Sequence, residues 1–358
     1  MIEQMSSEEN LEILSDTSAT GKERPWAEKK QNNVLLSGIY KSINLRKSYR
    51  LRDCANTLEF SIYADGTKKL KSAYFCHVRL CPVCSWRRGL KIFSQTKMIM
   101  DELVKLKDTV RKRPLYRYLF LTLTVKNCTA SELSHTLDDI FKSWELFTHR
   151  KIFNRAVVGW MRSLEVVHDT EQYITISRYM ERMRYYDSRG IKPGDKNPNF
   201  DMFHPHIHCI LVVPTDYFDW DSKKYIAQQE FAQVWQSCLK AEYMPVVDVR
   251  VIRTNTRRGI AKSIAEVAKY AVKDADYICP TDWDLSIGTV AILDSALHCR
   301  RLLAYGGLMK DIHRRLGLDD AIDGNLVDVD TQPADVDQSV GTEVYCWNVG
   351  YRQYIKRF

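Results

Sequence analysis

Residues 201–213 read DMFHPHIHCILVV and place His204, His206 and His208 at every second position. Pro205 and the β-branched residues Ile210, Val212 and Val213 argue against a helix here. As a strand, the segment points all three histidines to one side and Ile207 and Cys209 to the other. Two neighbouring imidazoles on one face, His206 and His208, have the geometry of a metal chelate. A divalent cation also wants anionic oxygen. Glu165 lies mid-strand in WMRSLEVVH, between Leu164 and Val166, where an unpaired carboxylate would be costly. A neighbouring strand would bring it beside the histidines; a salt bridge to an arginine is its competing use. The third ligand is therefore Glu165 or His204. Such a set suits Mg²⁺ or Mn²⁺, and equally Fe(II) or zinc, so the strand alone does not choose the metal.

A second stretch narrows the chemistry. In RRGIAKSIAEVAKYAVKDADY (257–277), a helix over 257–275 would put Ile260, Ile264, Val267 and Ala271 on one face. Glu266, Tyr270 and Lys273 then share nearly the opposite face at i, i+4 and i+7. A phenol beside a carboxylate, a lysine and a metal can attack a phosphodiester, because nearby cations favour the phenolate. Tyr277 is a rival nucleophile, and an ordinary amphipathic helix with an exposed tyrosine is the plainer reading. Arg257 and Arg258, which open this helix, are candidate DNA contacts. A third constellation is Cys54, Cys76, Cys81 and Cys84: C-x4-C-x2-C with one cysteine upstream is ligand spacing for a closed, structural zinc site. His77 is a substitute ligand, and four free buried cysteines are the alternative. Arg79, Arg87, Arg88 and Lys91 surround the cysteines and are placed to face phosphates.

The elements that must position these residues alternate between strands and helices. Strands are expected at 115–125, 160–168, 206–213 and 246–252, and helices at 86–108, 131–150, 222–242 and 257–275. The expected class is α+β, a sheet covered by helices on one face, with a small N-terminal zinc-binding subdomain. Residues 1–33 read as a disordered tail, 34–110 as the basic zinc-binding subdomain and 111–280 as the catalytic domain. Residues 281–318 read as a helical extension, and 319–358 as an acidic mobile tail. The Arg/Tyr-rich connection 169–203 is a long excursion. KSINLRKSYRLR (41–52) carries five basic residues and no acid.

The 358-residue chain is 45% apolar with a net charge of +8, distributed unevenly. Residues 1–20 hold five acids and residues 319–343 hold eight, neither with a Lys or Arg. The body between them is correspondingly more basic and suits a polyanionic partner, nucleic acid above all. No apolar run is long enough to span a membrane, and the acidic N-terminus is unlike a signal peptide. The ten cysteines do not read as a secreted disulfide scaffold, so the cytoplasm is the expected compartment.

Taken in order, FLTLTV (120–125), HPHIHCILVV (204–213) and EVAKYAVKDAD (266–276) resemble the three motifs of rolling-circle plasmid replication initiators, Rep proteins of the HUH endonuclease superfamily. With the cysteine segment and GLMKDIHRRLGLDD (307–320), the resemblance covers about residues 45–320. It implies an antiparallel, RRM-like sheet with the histidines on its central strand. It implies Mn²⁺ or Mg²⁺ at His206 and His208, a nucleophilic Tyr270 in a Y-x-x-K pattern with Lys273, and Zn²⁺ at the cysteines. Such initiators nick one strand of a plasmid double-strand origin, keep the 5′-phosphate as a tyrosyl ester and leave a 3′-OH primer. Two-tyrosine relatives have a tyrosine where Glu266 stands. In the single-tyrosine group this glutamate activates water for the terminating cleavage, which fits a carboxylate acting as general base.

The implied partners are origin DNA, duplex and single-stranded, and the host's replicative helicase and polymerase. The chain itself has no nucleotide-binding P-loop, and its oligomeric state is open. The nearest alternatives are a relaxase or single-tyrosine transposase of the same superfamily. A non-catalytic zinc-dependent DNA-binding regulator would leave the histidine strand and Tyr270 without a role, and a metal-dependent oxygenase would not explain the basic body.

Overall fold

A computed structural model describes residues 11–18, 21–110, 112–253, 257–269, 271–329 and 339–357, with Arg257 and Arg258 as backbone only. In chain order its elements are α1 (Trp26–Tyr40), α2 (Leu45–Asp53), β1 (Thr57–Tyr63), β2 (Lys68–Ala73), α3 (Pro82–Lys105), β3 (Tyr116–Thr124) and α4 (Leu133–Thr148). Then come α5 (Lys151–Ala156), β4 (Gly159–His168), α6 (Ile176–Glu181), α7 (Met183–Asp187), β5 (Phe203–Pro214), α8 (Gln228–Leu239) and β6 (Val247–Val251). The chain continues with α9 (Arg257–Val267), α10 (Trp283–Ala296), β7 (Leu303–Gly306), α11 (Gly307–Arg315), β8 (Ser339–Asn348) and β9 (Gln353–Arg357). It divides into two units: one runs up to Lys91 and resumes at Asp323, and the other is Ile92–Ile322.

In the Ile92–Ile322 unit, five antiparallel strands lie in the order β6-β3-β5-β4-β7. The middle strand, β5, is buried from Pro205 to Val213, which explains its apolar run on both faces. Pro205 falls between the Cys128–Phe203 bridge and the first β3 pair at His206, so its missing N–H interrupts no β3 ladder bond. Ile210 and Val212 share one face with Phe120 and Met161. They pack on Ile99 and Leu103 of α3, Ile264 and Val267 of α9, and Met309 and Ile312 of α11. On the opposite face Trp160, paired with Leu211, meets Trp144 of α4, and Arg162, paired with Cys209, lies over Phe141. Phe147 and Trp235 of α8 extend that layer. Each fully buried side chain of this size contributes about 1.5–3 kcal/mol. The expectation of helices on one face is thus corrected: apolar residues alternate on both sides of β3, β4 and β5, and both sides need covering.

Two expectations also differ. Helix α9 ends at Val267 instead of 275. The β4–β7 ladder stops at Ser163, which leaves the amide of Val166 available, and it donates to Ala271 O at 2.6 Å. The backbone after α9 therefore runs along β4 rather than winding on. The 281–318 segment is not purely helical, because β7 supplies the edge strand beside β4. The 169–203 excursion holds two short helices, anchored where Arg178 pairs with Asp169 and Asn197 donates to Asp169 Oδ1 at 2.9 Å.

The other unit contains a sheet of order β2-β1-β8-β9. Residues 26–33, expected in a disordered tail, open α1, where Trp26 is buried and donates to Asp16 Oδ2 at 2.7 Å. The acidic end 319–358 is no mobile tail in its described part. Residues 339–348 and 353–357 are strands, and Glu343 is neutralised by Lys68 and Lys356 at 2.8 and 2.6 Å. Burial of Tyr345 and Tyr354 holds these strands down. The cysteine-bearing unit is therefore built from both ends of the chain, not from 34–110 alone.

Candidate active site

The register that makes β5 central also gathers its ligands. Glu165 on β4 pairs with His206, and Ser163 with His208, so the carboxylate and both imidazoles emerge on one face. Glu165 Oε2 lies 3.3 Å from His206 Nε2 and 3.1 Å from His208 Nε2, and the two Nε2 atoms are 3.1 Å apart. Ligand atoms about 2.1 Å from a shared ion at right angles sit roughly 3 Å apart, so the three fit one small divalent cation.

The other ring nitrogens are engaged. His208 Nδ1 lies 3.1 Å from Thr122 Oγ1 on β3, and His206 Nδ1 donates to His204 O at 3.2 Å. These contacts fix the orientation of both rings and leave both Nε2 atoms facing Glu165, as the outer partners of metal-ligating histidines do. Burial acts to raise the Glu165 carboxyl, but hydrogen bonds to His206 and His208 and their charge outweigh it and hold it well below the usual carboxylate range.

His204 stands outside this cluster. Its Nδ1 meets Asn127 Oδ1 at 2.8 Å, and its ring lies 5.2 Å from that of His206. Burial, with the neighbouring His206 and Arg182, lowers its pKa to about 4, so it is neutral near pH 7. Between Glu165 and His204, the structure brings Glu165 to the pair.

Packing of Ile264 and Val267 against β5 sets Glu266 over the cluster, with Oε1 4.0 Å from His208 Nε2 and paired to Lys269. Lys273 lies beyond the helix end, yet its Nζ is 4.0 Å from Glu165 Oε1. Tyr270 lies outside the described residues. The rival Tyr277 is only 2% exposed, too enclosed to meet a DNA strand. Asp276 was missed in the sequence. Among the described residues its Oδ2 is buried without a hydrogen-bond partner, and burial raises its carboxyl to about 6, with Lys273 and Glu165 among the charges acting on it. Thr122 was missed too, although it sits in FLTLTV; only the pairing of Thr122 with His208 reveals its part.

In the other unit, Cys54, Cys76, Cys81 and Cys84 are all buried and their sulfurs converge. The Cys54–Cys84, Cys54–Cys81 and Cys76–Cys84 sulfur separations are 3.6, 3.7 and 3.8 Å. Tetrahedral zinc with bonds of 2.3 Å requires about 3.8 Å. Backbone amides of Cys76 and Cys84 point at Cys54 and Cys81 sulfurs at 3.4 Å. His77 is exposed and takes no part. From α1, Lys30 donates to Cys54 O at 2.6 Å, and Asn33 Oδ1 lies 3.1 Å from Cys81 Sγ. Both residues had been assigned to a tail.

Of the cations expected to face phosphates here, three are corrected. Arg87, Arg88 and Lys91 are 1–4% exposed; Arg87 donates to Leu326 O and Val327 O, and Lys91 to Asn325 O. Arg87 and Lys91 hold the returning C-terminal segment. Arg79 is half-buried, and the side chains of Arg257 and Arg258 lie outside the described residues.

Among the described residues no helix is long and apolar enough to cross a membrane. No solved structure matches the chain. The family model described as replication protein matches residues 67–355. A Protein rep from Streptococcus pneumoniae is 33% identical over 96% of this chain and 95% of its own length. One from Lactiplantibacillus plantarum is 34% identical over 96% and 98%, and one from Bacillus amyloliquefaciens 32% identical over 98% and 99%. The chain thus belongs to the replication protein family, the plasmid rolling-circle initiators that its three motifs resemble.

Proposed function

We propose that this initiator binds its plasmid's double-strand origin and nicks one strand through an HUH-type centre formed by Glu165, His206, His208 and Tyr270. The observation that carries this reading is the convergence of one carboxylate from β4 and two imidazole nitrogens from the central strand β5 within 3.3 Å, beneath Glu266. Mn²⁺ or Mg²⁺ held there would polarise the scissile phosphate and stabilise charge on its oxygens. The Tyr270 oxygen attacks phosphorus, the bond to the 3′ oxygen breaks, and that oxygen takes up a proton to become the 3′-OH primer. The product strand keeps its 5′-phosphate as a tyrosyl ester. Lys273 favours the phenolate by its charge. In the terminating step Glu266 takes a proton from water, which a second phenol could not do without forming another ester. The cysteine cluster takes zinc in a purely structural role.

The test is incubation of the protein with Mn²⁺ or Mg²⁺ and a supercoiled plasmid bearing the origin. A nick with protein covalently attached to the 5′ end is expected, and it should be absent in Tyr270→Phe. Binding without a covalent adduct would favour the non-catalytic regulator. Glu266→Ala is expected to spare the first nick and impair release; equal loss of both steps would remove Glu266 from termination.

A further inference from the structure

Helix α2 has the sequence LRKSYRLRD, with four cations and one acid in nine residues. Its first turn contains no acid, although that end of a helix favours negative charge. Arg46 and Lys47 in that turn oppose the helix dipole, whereas Arg50 and Arg52 in the last turn agree with it. Asn44 caps the helix, accepting from Lys47 N at 3.1 Å. Only Ser48 and Leu51 are buried, while Leu45, Arg46, Tyr49, Arg50 and Arg52 are exposed.

The buried side is fastened to α1 by side chains. Ser37 donates to Ser48 O at 2.9 Å and Ser48 to Ser37 O at 2.8 Å. Asn33 donates to Leu51 O at 2.6 Å and Lys30 to Arg52 O at 2.9 Å, so α1 satisfies carbonyls that the helix end leaves open. The next residue but one is Cys54, a member of the sulfur cluster, and Arg50 donates to Cys76 O. The helix is therefore pinned along one side and at its C-terminal end.

Among the described residues, Arg46 and Arg52 are little used. Arg46 forms no ion pair among the described residues. Among the described residues Arg52 pairs only with adjacent Asp53, both more than half exposed, and it lies over the Tyr49 ring at 5.2 Å. An exposed pair of that kind contributes at most about 1 kcal/mol. Arg87, Arg88 and Lys91 in the same unit are turned inward, which leaves α2 as a basic surface presented to solvent.

We propose that α2 is the element by which the cysteine-bearing unit grips duplex DNA, seated in the major groove with Arg46 and Arg52 on the phosphates or base edges. The groove is about 12 Å wide and admits one α-helix. A rigid helix with cations projecting from it suits a fixed duplex better than a flexible single strand does. The proposal rests on the reading of the chain as an origin-binding nickase and assigns the duplex-binding step to this helix.

The test uses full-length protein, wild type and Arg46→Ala/Arg52→Ala, with two probes. One is a set of fluorescent duplex fragments tiling the plasmid that encodes the chain; the other is a single-stranded oligonucleotide carrying the mapped nick site. The double variant is expected to bind the preferred duplex at least about 10-fold more weakly, with a salt slope lower by about 2, and to cleave the oligonucleotide as wild type does. Unchanged duplex affinity and slope would overturn the proposal, and so would a parallel loss of oligonucleotide cleavage. Failure of the nickase reading would show separately, as wild-type protein that binds duplex but forms no adduct with either probe.

Discussion

The two ligand clusters differ in how they balance charge, and the difference matches the structural role proposed for one and the reactive role proposed for the other. Four buried sulfurs supply a complete coordination shell, and the groups around them include the cations Lys30 and Arg88. The Lys30 amine lies close enough for its charge to interact with Cys54, Cys81 and Cys76. Burial disfavours the Cys84 thiolate, but hydrogen bonds from the other three cysteines and the charge of Arg88 favour it and prevail. Such a set leaves no position for substrate. The Glu165–His206–His208 cluster supplies three ligands and one negative charge, and the groups beside it include the carboxyls of Glu266 and Asp276. A divalent ion held by these three ligands would keep open positions and net positive charge for a phosphate oxygen, and in the proposed reaction the nearby carboxyls would exchange protons.

The largest expected effect lies on the closed side. Cys84→Ser should remove the bound zinc equivalent and abolish the thermal transition of the cysteine-bearing unit, since structural zinc supplies about 10–16 kcal/mol in small metal-folded peptides. Metal analysis with a melting curve decides it; a variant that keeps its ion and its melting temperature would break the contrast. On the open side, Glu165→Gln preserves shape but removes the anionic ligand. Mn²⁺ affinity, followed by titration calorimetry, should fall by on the order of 10²-fold or more while the metal-free melting temperature holds. A variant that titrates like wild type would mean that the carboxylate serves only as an ion-pair partner.

Smaller effects sharpen the same contrast. Thr122→Val removes the partner of His208 Nδ1, and loss of such outer hydrogen bonds typically costs about 10–100-fold in metal affinity. No change in Mn²⁺ affinity would show that the imidazole is oriented by packing alone. Asp276 offers a pH test in the presence of EDTA. Its folded carboxyl, raised to about 6 from an ordinary 3.8, binds a proton more tightly than the unfolded chain does. Stability should therefore decline as pH rises from about 4 to 6 and stay lower above that. Asp276→Asn should flatten this decline and melt higher than wild type near pH 7; coincident pH profiles would refute it.

What could be read from residues was local. Alternation in HPHIHCILVV marked a strand and put its histidines on one side, because a strand's two-residue repeat is visible in any window. The C-x4-C-x2-C spacing marked a metal knuckle for the same reason. Charge was harder to read: Arg87, Arg88 and Lys91 resemble a DNA-facing patch until all three are found buried, with the chain's own carbonyls occupying Arg87 and Lys91. Helical periodicity extended α9 too far, because the competing bond from Val166 to Ala271 comes from a residue about a hundred positions away.

The sequence alone determined the α+β alternation, the ligand types and the motif order that identify the family. Tertiary structure decided which residues meet. The pairing of Glu165 with His206 selected the third ligand, the packing of α9 on β5 placed Glu266 above His208, and the return of the C-terminal strands completed the cysteine-bearing unit. Each of these depends on contacts between residues far apart in the chain, whose energies are fixed by register and burial and leave no periodic trace in the local sequence.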